Sequence, residues 1–78
     1  MKAKFIKVED INGFVAFVSK LHGRVYLKAG EYSVNAKSLI GAMYLVNEHP
    51  EEIVVEVEDP TEQKMVLTYL MSGGHLND

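Results

Sequence analysis

Along this chain the spacing of apolar residues switches repeatedly between two periods, and this feature constrains the fold more than any other. Alternation of apolar and polar residues is typical of a half-buried strand, whereas apolar residues three and four positions apart line one face of a helix. The helical period predicts a helix over about 11–21, a second from Leu39 that Asn47 and His49-Pro50 end, and a third from Pro60 that Gly73 and Gly74 end. The alternating period predicts strands over 3–8, 24–28, 32–35 and 53–58. The predicted order is therefore β-α-β-β-α-β-α.

Capping residues mark the ends of the predicted helices. Asp10 is expected to cap the first helix, because a carboxylate there can accept an early backbone N–H, and Gly23 is expected to end it in the left-handed conformation. Asp59 is the expected cap of the third helix, and Glu62 would complete a capping box with it. Gly73 and Gly74 are expected to end that helix.

A mixed order of elements that contains a hairpin predicts an α+β fold, with the helices on one face of an antiparallel sheet. In each predicted strand every second residue points to the same face of the sheet, and the apolar residues at these positions are expected to face the helices. These residues are Val25, Leu27, Val34, Ile53, Val55 and Val57. The apolar stripe Phe14, Val18 and Leu21 is expected to pack on them.

Length, charge and cysteine count exclude several classes of protein. Seventy-eight residues are enough for one domain, predicted over 1–78 with 75–78 as a flexible tail. The net charge of −3 does not favour a nucleic-acid partner, and the absence of cysteine excludes disulfides and cysteine-based zinc sites. With no apolar run long enough for a membrane span, we expect a cytoplasmic protein with no membrane partner.

Three histidines are the side chains most able to titrate near neutral pH. His22 lies at the end of the first predicted helix, where it could cap the carbonyl end or act as a phosphoryl acceptor or general base. His49 is expected in a turn and His75 in the tail. Their spacing predicts no metal site, and no pair of carboxylates or glycine-rich loop predicts catalysis or a cofactor.

Ser38 opens the second helix, directly after Lys37. A serine there can serve as an N-cap, a role that contributes about 1 kcal/mol. The same position suits a phosphate, because free backbone N–H groups and the helix dipole stabilise an anion at a helix start. From the residues alone, a cap and a phosphorylation site both remain open.

The segment Val34-Asn35-Ala36-Lys37-Ser38-Leu39-Ile40-Gly41-Ala42-Met43 resembles the V-N-x-K-S-[IL]-x-G-x-M segment of HPr, the small phosphocarrier of the bacterial sugar phosphotransferase system. The order of elements resembles that family over nearly the whole chain. The resemblance implies a four-stranded antiparallel sheet in the order 1-4-2-3, with three helices on one face.

The resemblance fails at the residue that carries phosphate. HPr proteins hold it on a histidine in a G-x-H-x-R-P segment, and the stretch that corresponds here is 12–17. Val15 stands at the position of the histidine and Phe17 at that of the arginine, and the chain is several residues shorter there. We therefore expect that this protein has no catalytic site of its own and does not carry phosphate on a phospho-acceptor loop.

The resemblance does include the serine of the quoted segment, Ser38. In HPr proteins of Gram-positive type the matching serine is phosphorylated by a dedicated kinase, and the product binds a transcriptional regulator. Ser38 is therefore a candidate regulatory site, and the candidate partner-binding residues are Lys37, Leu39, Ile40 and Met43. The implied partners are phosphotransferase-system components, the kinase or the regulator. The alternatives are a phosphocarrier that uses His22 and an interaction module with neither activity.

Overall fold

A computed structural model describes residues 1–77 of the chain. Its elements follow one another as α1 (Val8–Val18), β1 (Val25–Ala29), β2 (Tyr32–Asn35), α2 (Leu39–Glu48), β3 (Val54–Val57) and α3 (Pro60–Ser72). The strands form one antiparallel sheet in the order β2-β1-β3. The α+β class predicted from the switching periods is confirmed.

The core lies between one face of the sheet and the helices. Leu27 stands opposite Val34 on one side and Val55 on the other, and Val25 stands opposite Val57. All of these except the half-buried Val34 are buried, together with Ile53 and the stripe Phe14, Val18 and Leu21. The opposite face of the sheet is polar and carries an ion pair between Lys28 and Glu56 at 2.8 Å. The strand pattern therefore predicted the buried face correctly.

The prediction of a first strand over 3–8 is wrong, and within residues 1–77 the sheet has three strands. Residues 1–3 do lie antiparallel to β3 on its outer edge. Met1 and Val55 exchange backbone hydrogen bonds of 3.0 and 2.6 Å, and Ala3 donates to Ile53 at 3.0 Å. Within residues 1–77 the pairing with β3 does not continue past Ala3, and on the opposite side of this segment the Lys4 N–H donates to His75. This is the edge that the order 1-4-2-3 assigns to a first strand, but the pairing stops at an isolated bridge.

The first helix begins three residues earlier than predicted and ends at Val18. Asp10 therefore lies inside α1 and does not cap it. Its carboxylate instead accepts the backbone N–H of Lys7, the residue before the helix, at 3.0 Å. Leu21 is buried although it lies beyond the helix. It is apolar because it packs in the core, and its helical spacing from Val18 did not mean that the helix extends to it.

The C-terminal residues are paired with the N-terminal ones. His75 accepts from Lys4 at 2.7 Å, and the Asn77 N–H donates to Lys2 at 3.0 Å. The His75 ring packs against Phe5 with centroids 5.4 Å apart. Residues 75–77, which belong to the predicted tail, are thus bonded to the N-terminal segment, and Asp78 lies outside the described residues.

Candidate functional site

Ser38 caps the start of α2 and is exposed to solvent, as predicted. Its backbone is extended (φ −93°, ψ 108°), and its Oγ accepts the backbone N–H of Gly41 at 3.4 Å. The carbonyl of Ser38 accepts from Ala42 at 2.9 Å, which closes the first turn of the helix. The hydroxyl is therefore held at the helix start on the surface of the protein.

Lys37 is half-buried and points away from open solvent. Its Nζ donates to the carbonyl oxygen of Leu21 at 2.7 Å. This ammonium, from a segment 16 residues further along, therefore binds the loop that follows α1.

The loop between α1 and β1 is held from a second side by a buried carboxylate. Glu62 is 6% exposed, and its two oxygens accept the backbone N–H groups of His22 and Gly23, each at 2.7 Å. The predicted capping box is therefore wrong. Asp59 does cap α3, with bonds of 2.8 Å to Thr61 and 3.3 Å to Glu62, but the Glu62 side chain turns to the loop.

Gly23 has a structural role other than the predicted one. The left-handed glycines of residues 1–77 are Gly30 and Gly74, so Gly23 does not end α1 in that conformation. A Cβ at Gly23 would lie 2.7 Å from Oε1 of Glu62. Glycine is thus required there by the close approach of the carboxylate.

The outer side of α2 is apolar. Ile40 is 83% exposed, Leu39 is more than one-third exposed, and Met43 is half-buried against the edge of the core. Tyr44, which sequence reasoning missed, is 64% exposed and follows Ile40 by four residues, so both lie on one side of the helix. The buried side of α2 is formed by Ala42, Leu45 and Val46.

A cleft of about 280 Å³ continues this apolar side toward the start of α1. It lies between residues 5–8 and α2, and Met43 and Asn47 line it from the helix. Across from them are Ile6, which is 81% exposed, and Val8. In the sequence, the adjacent apolar residues Phe5 and Ile6 interrupt the alternation of apolar and polar residues that a strand would show. This interruption was the signal that the segment does not pair as a strand.

Comparison with protein families assigns the chain. The family model described as the PTS HPr component phosphorylation site matches residues 10–69, which is more than half of the chain and includes Ser38 and the loop before β1. The chain belongs to the HPr family. Comparisons with curated proteins and with solved structures found no match. HPr proteins are phosphocarriers of the phosphotransferase system and not catalytic enzymes, and they act with other proteins of that system.

The stretch that the sequence resemblance matches to the phospho-acceptor loop is helical. Residues 12–17 lie within α1, where Val15 is buried in the core. Phe17 stacks on Tyr69 of α3, with centroids 4.4 Å apart and planes 15° apart. Burial raises the pKa of the Tyr69 phenol, and the nearby Asp10 carboxylate raises it further. Val15 and Phe17 thus both contribute to packing.

The three histidines of this HPr protein lie in different segments of the chain: the loop before β1, the C-cap of α2 and the segment after α3. His22 is exposed in the loop held by Glu62. His49 stacks on Tyr32, with centroids 5.4 Å apart, and its Nδ1 lies 4.0 Å from Glu52. Residues 1–77 contain no cluster of His, Asp and Glu able to hold a metal ion, and none of their helices is long and apolar enough to cross a membrane.

Proposed function

We propose that this HPr protein is a regulatory or adaptor component of the phosphotransferase system that binds protein partners through α2, with phosphorylation of Ser38 as its switch. The observation that carries the proposal is the exposed Ser38 hydroxyl at the start of α2, next to the exposed apolar residues Leu39 and Ile40. The proposed binding residues are Lys37, Leu39, Ile40 and Met43, and the structure adds Tyr44 to their surface.

Phosphorylation of Ser38 is compatible with the fold. A kinase would transfer the γ-phosphoryl group of ATP to Oγ, with ADP as the leaving group and the hydroxyl proton passing to a base of the kinase. The new phosphate would carry about −1.5 to −2 charges beside the free N–H groups at the start of α2, where an anion is stabilised. The first turn of α2 contains no acidic residue to oppose it.

The apolar surface of α2 supports a protein partner. Exposed large apolar side chains grouped together are typical of protein contacts, whereas single ones are ordinary. Ile40 and Tyr44 lie side by side, and the cleft bounded by Ile6 and Val8 extends the same surface. A phosphate at Ser38 would add charge at one end of this surface and so change its affinity for a partner.

The positions of the histidines support a role without histidine phosphorylation. Val15 fills the core at the position where the resemblance expects the phospho-acceptor, and an aliphatic side chain has no nucleophile. His22, the candidate for a relocated phosphocarrier, is exposed, but its backbone is held in the loop by Glu62.

The test compares the unmodified protein with the protein phosphorylated at Ser38 by ATP and the HPr kinase. Binding to the transcriptional regulator and to enzyme I is measured by calorimetry. We expect phosphorylation to change the affinity for one of them at least tenfold. Ile40→Ala should weaken binding, whereas Met71→Ala, which truncates an exposed apolar residue of α3, should not. Equal affinity of both forms for both partners would contradict the switch.

The phosphocarrier alternative is tested separately with phosphoenolpyruvate and enzyme I. We expect no phosphohistidine to form. Stable labelling that is lost in His22→Ala would replace the regulatory proposal with a relocated phosphocarrier. If neither histidine labelling nor an effect of Ser38 phosphorylation on binding is found, the remaining alternative is an interaction module with neither activity.

A further inference from the structure

The loop of residues 19–24, here called the α1–β1 loop, is attached to the rest of the protein by two charged side chains. The Lys37 ammonium donates to the Leu21 carbonyl at 2.7 Å. The Glu62 carboxylate accepts from His22 and Gly23 at 2.7 Å each. Three consecutive loop residues are therefore bound by one cation and one anion from distant parts of the chain.

Lys37 links this loop to the start of α2. It precedes Ser38 directly, and the turn that carries both is closed by hydrogen bonds from the Lys37 and Ser38 N–H groups to Asn35, each at 2.9 Å. The ammonium thus binds the α1–β1 loop and is also the charge next in sequence to the candidate phosphorylation site. Its acceptor, the Leu21 carbonyl, is uncharged.

We propose that a phosphate on Ser38 competes with the Leu21 carbonyl for the Lys37 ammonium, so that modification of Ser38 loosens the α1–β1 loop. The inference rests on the proposed phosphorylation of Ser38 and states how it would be transmitted. A hydrogen bond from an ammonium to a charged oxygen is roughly twice as strong as one to a neutral oxygen. A phosphate on the adjacent residue supplies three such oxygens.

The loosened loop remains attached through Glu62. Losing the bond at Leu21 leaves the two bonds to His22 and Gly23, so the loop becomes more mobile without detaching. His22 is exposed in this loop, so its mobility rises when the phosphate adds negative charge at the start of α2. A partner that contacts both segments would meet two states that differ in charge and in loop order.

The experiment uses the full chain made by chemical synthesis with serine or phosphoserine at 38, each in the Lys37 and the Lys37→Met background. Amide hydrogen exchange is measured at His22 and Gly23, with Leu27 and Val55 of the sheet as controls. Phosphoserine should accelerate exchange at the two loop amides about tenfold, the effect of losing one hydrogen bond to a charged group. Lys37→Met should accelerate it similarly, and phosphoserine should add nothing to that variant.

Two results would overturn the inference. One is unchanged loop exchange when phosphoserine is present with Lys37. The other is equal acceleration by phosphoserine in the Lys37→Met background, since the effect would then not depend on the ammonium.

A second measurement needs no substitution. An NMR correlation between the Lys37 Nζ and the phosphorus atom should appear in the phosphorylated chain, and its absence would also refute the competition. Because the phosphate is installed by synthesis, the exchange experiment needs neither a kinase nor a partner. Loosening of the loop and a change in partner affinity can therefore be observed independently of each other. Failure of this inference is thereby distinguished from failure of the proposed function.

Discussion

Ser38 acts as an N-cap in the unmodified protein, and this role can be separated from any regulatory one. Its bond to Gly41 is long, at 3.4 Å, and exposed. We expect Ser38→Ala to lower the free energy of unfolding by about 0.5–1 kcal/mol, and Ser38→Asp to be tolerated because aspartate caps equally well. Urea denaturation measures both. Asp59→Ala should cost more, because Asp59 accepts two N–H groups, and a larger loss for Ser38→Ala would contradict the assignment.

Gly23 and Gly41 are expected to respond to alanine with opposite signs. At Gly23 the added Cβ would lie 2.7 Å from Glu62 Oε1 and 3.1 Å from the Asp59 Cβ, so Gly23→Ala should destabilise by about 1–3 kcal/mol. At Gly41 the nearest atoms lie at 3.4 Å or beyond, and Gly41→Ala should stabilise α2 by about 0.5–1 kcal/mol. Stabilisation by both in urea denaturation would show that the Glu62 contact does not constrain Gly23.

The central strand of the sheet, β1, carries a core residue on which the free energy of unfolding is expected to depend strongly. Leu27 of β1 is fully buried and stands between Val34 and Val55. We expect Leu27→Ala to cost about 2–5 kcal/mol, because it leaves a cavity in the core. For a domain of this size that is a large part of the total stability. A thermal melt close to that of the unmodified protein would contradict the burial of Leu27, and Met71→Ala on the exposed side of α3 is the matched control.

The helices show how local signals and packing divide the control of an element. α3 begins where the Asp59-Pro60 pair predicts, because its cap is made entirely by neighbouring residues. α1 is displaced from the predicted 11–21, since the Asp10 carboxylate accepts the Lys7 N–H from within the first turn and the helix ends at Val18. Leu21 satisfied the helical period and yet packs in the core from a loop.

The two termini of the chain stabilise each other. Residues 2–4 bond to residues 75–77, and Phe5, which is nearly fully buried, packs against His75. Ending the chain after Gly74 removes these bonds, and we expect a loss of about 1–3 kcal/mol in a chemical denaturation. A C-terminus that contributes nothing to stability would leave the midpoint unchanged.

The pH dependence of stability should reflect Tyr69. Burial raises the pKa of its phenol, so the folded protein holds this proton to higher pH than the unfolded chain does. The unfolded state therefore loses the proton first, and stability falls as the pH rises through about 10. Unfolding free energies from pH 8 to 11 should fall less steeply in Tyr69→Phe. Identical slopes in the two proteins would contradict the shift.

Much of the fold was predictable because its information is local. The alternation of Val25, Leu27, Val55 and Val57 predicted the buried face of the sheet, since side chains on a strand point to opposite faces in turn. The start of α2 at Ser38 was predictable for a similar reason, because an N-cap is made within four residues. The family followed from a contiguous segment that includes the same serine.

The remaining features depend on residues that are far apart in the sequence. Glu62 reaches across 39 and 40 residues to the α1–β1 loop, and Lys37 reaches across 16. Residues 1–3 lie beside β3 without forming a strand, and residues 2–4 are bonded on their opposite side by residues 75–77. Capping patterns and periodicity report only a few neighbouring residues, so they could not show which backbone group each charged side chain meets. Those contacts are set when the chain packs and each buried charge and N–H group requires a partner.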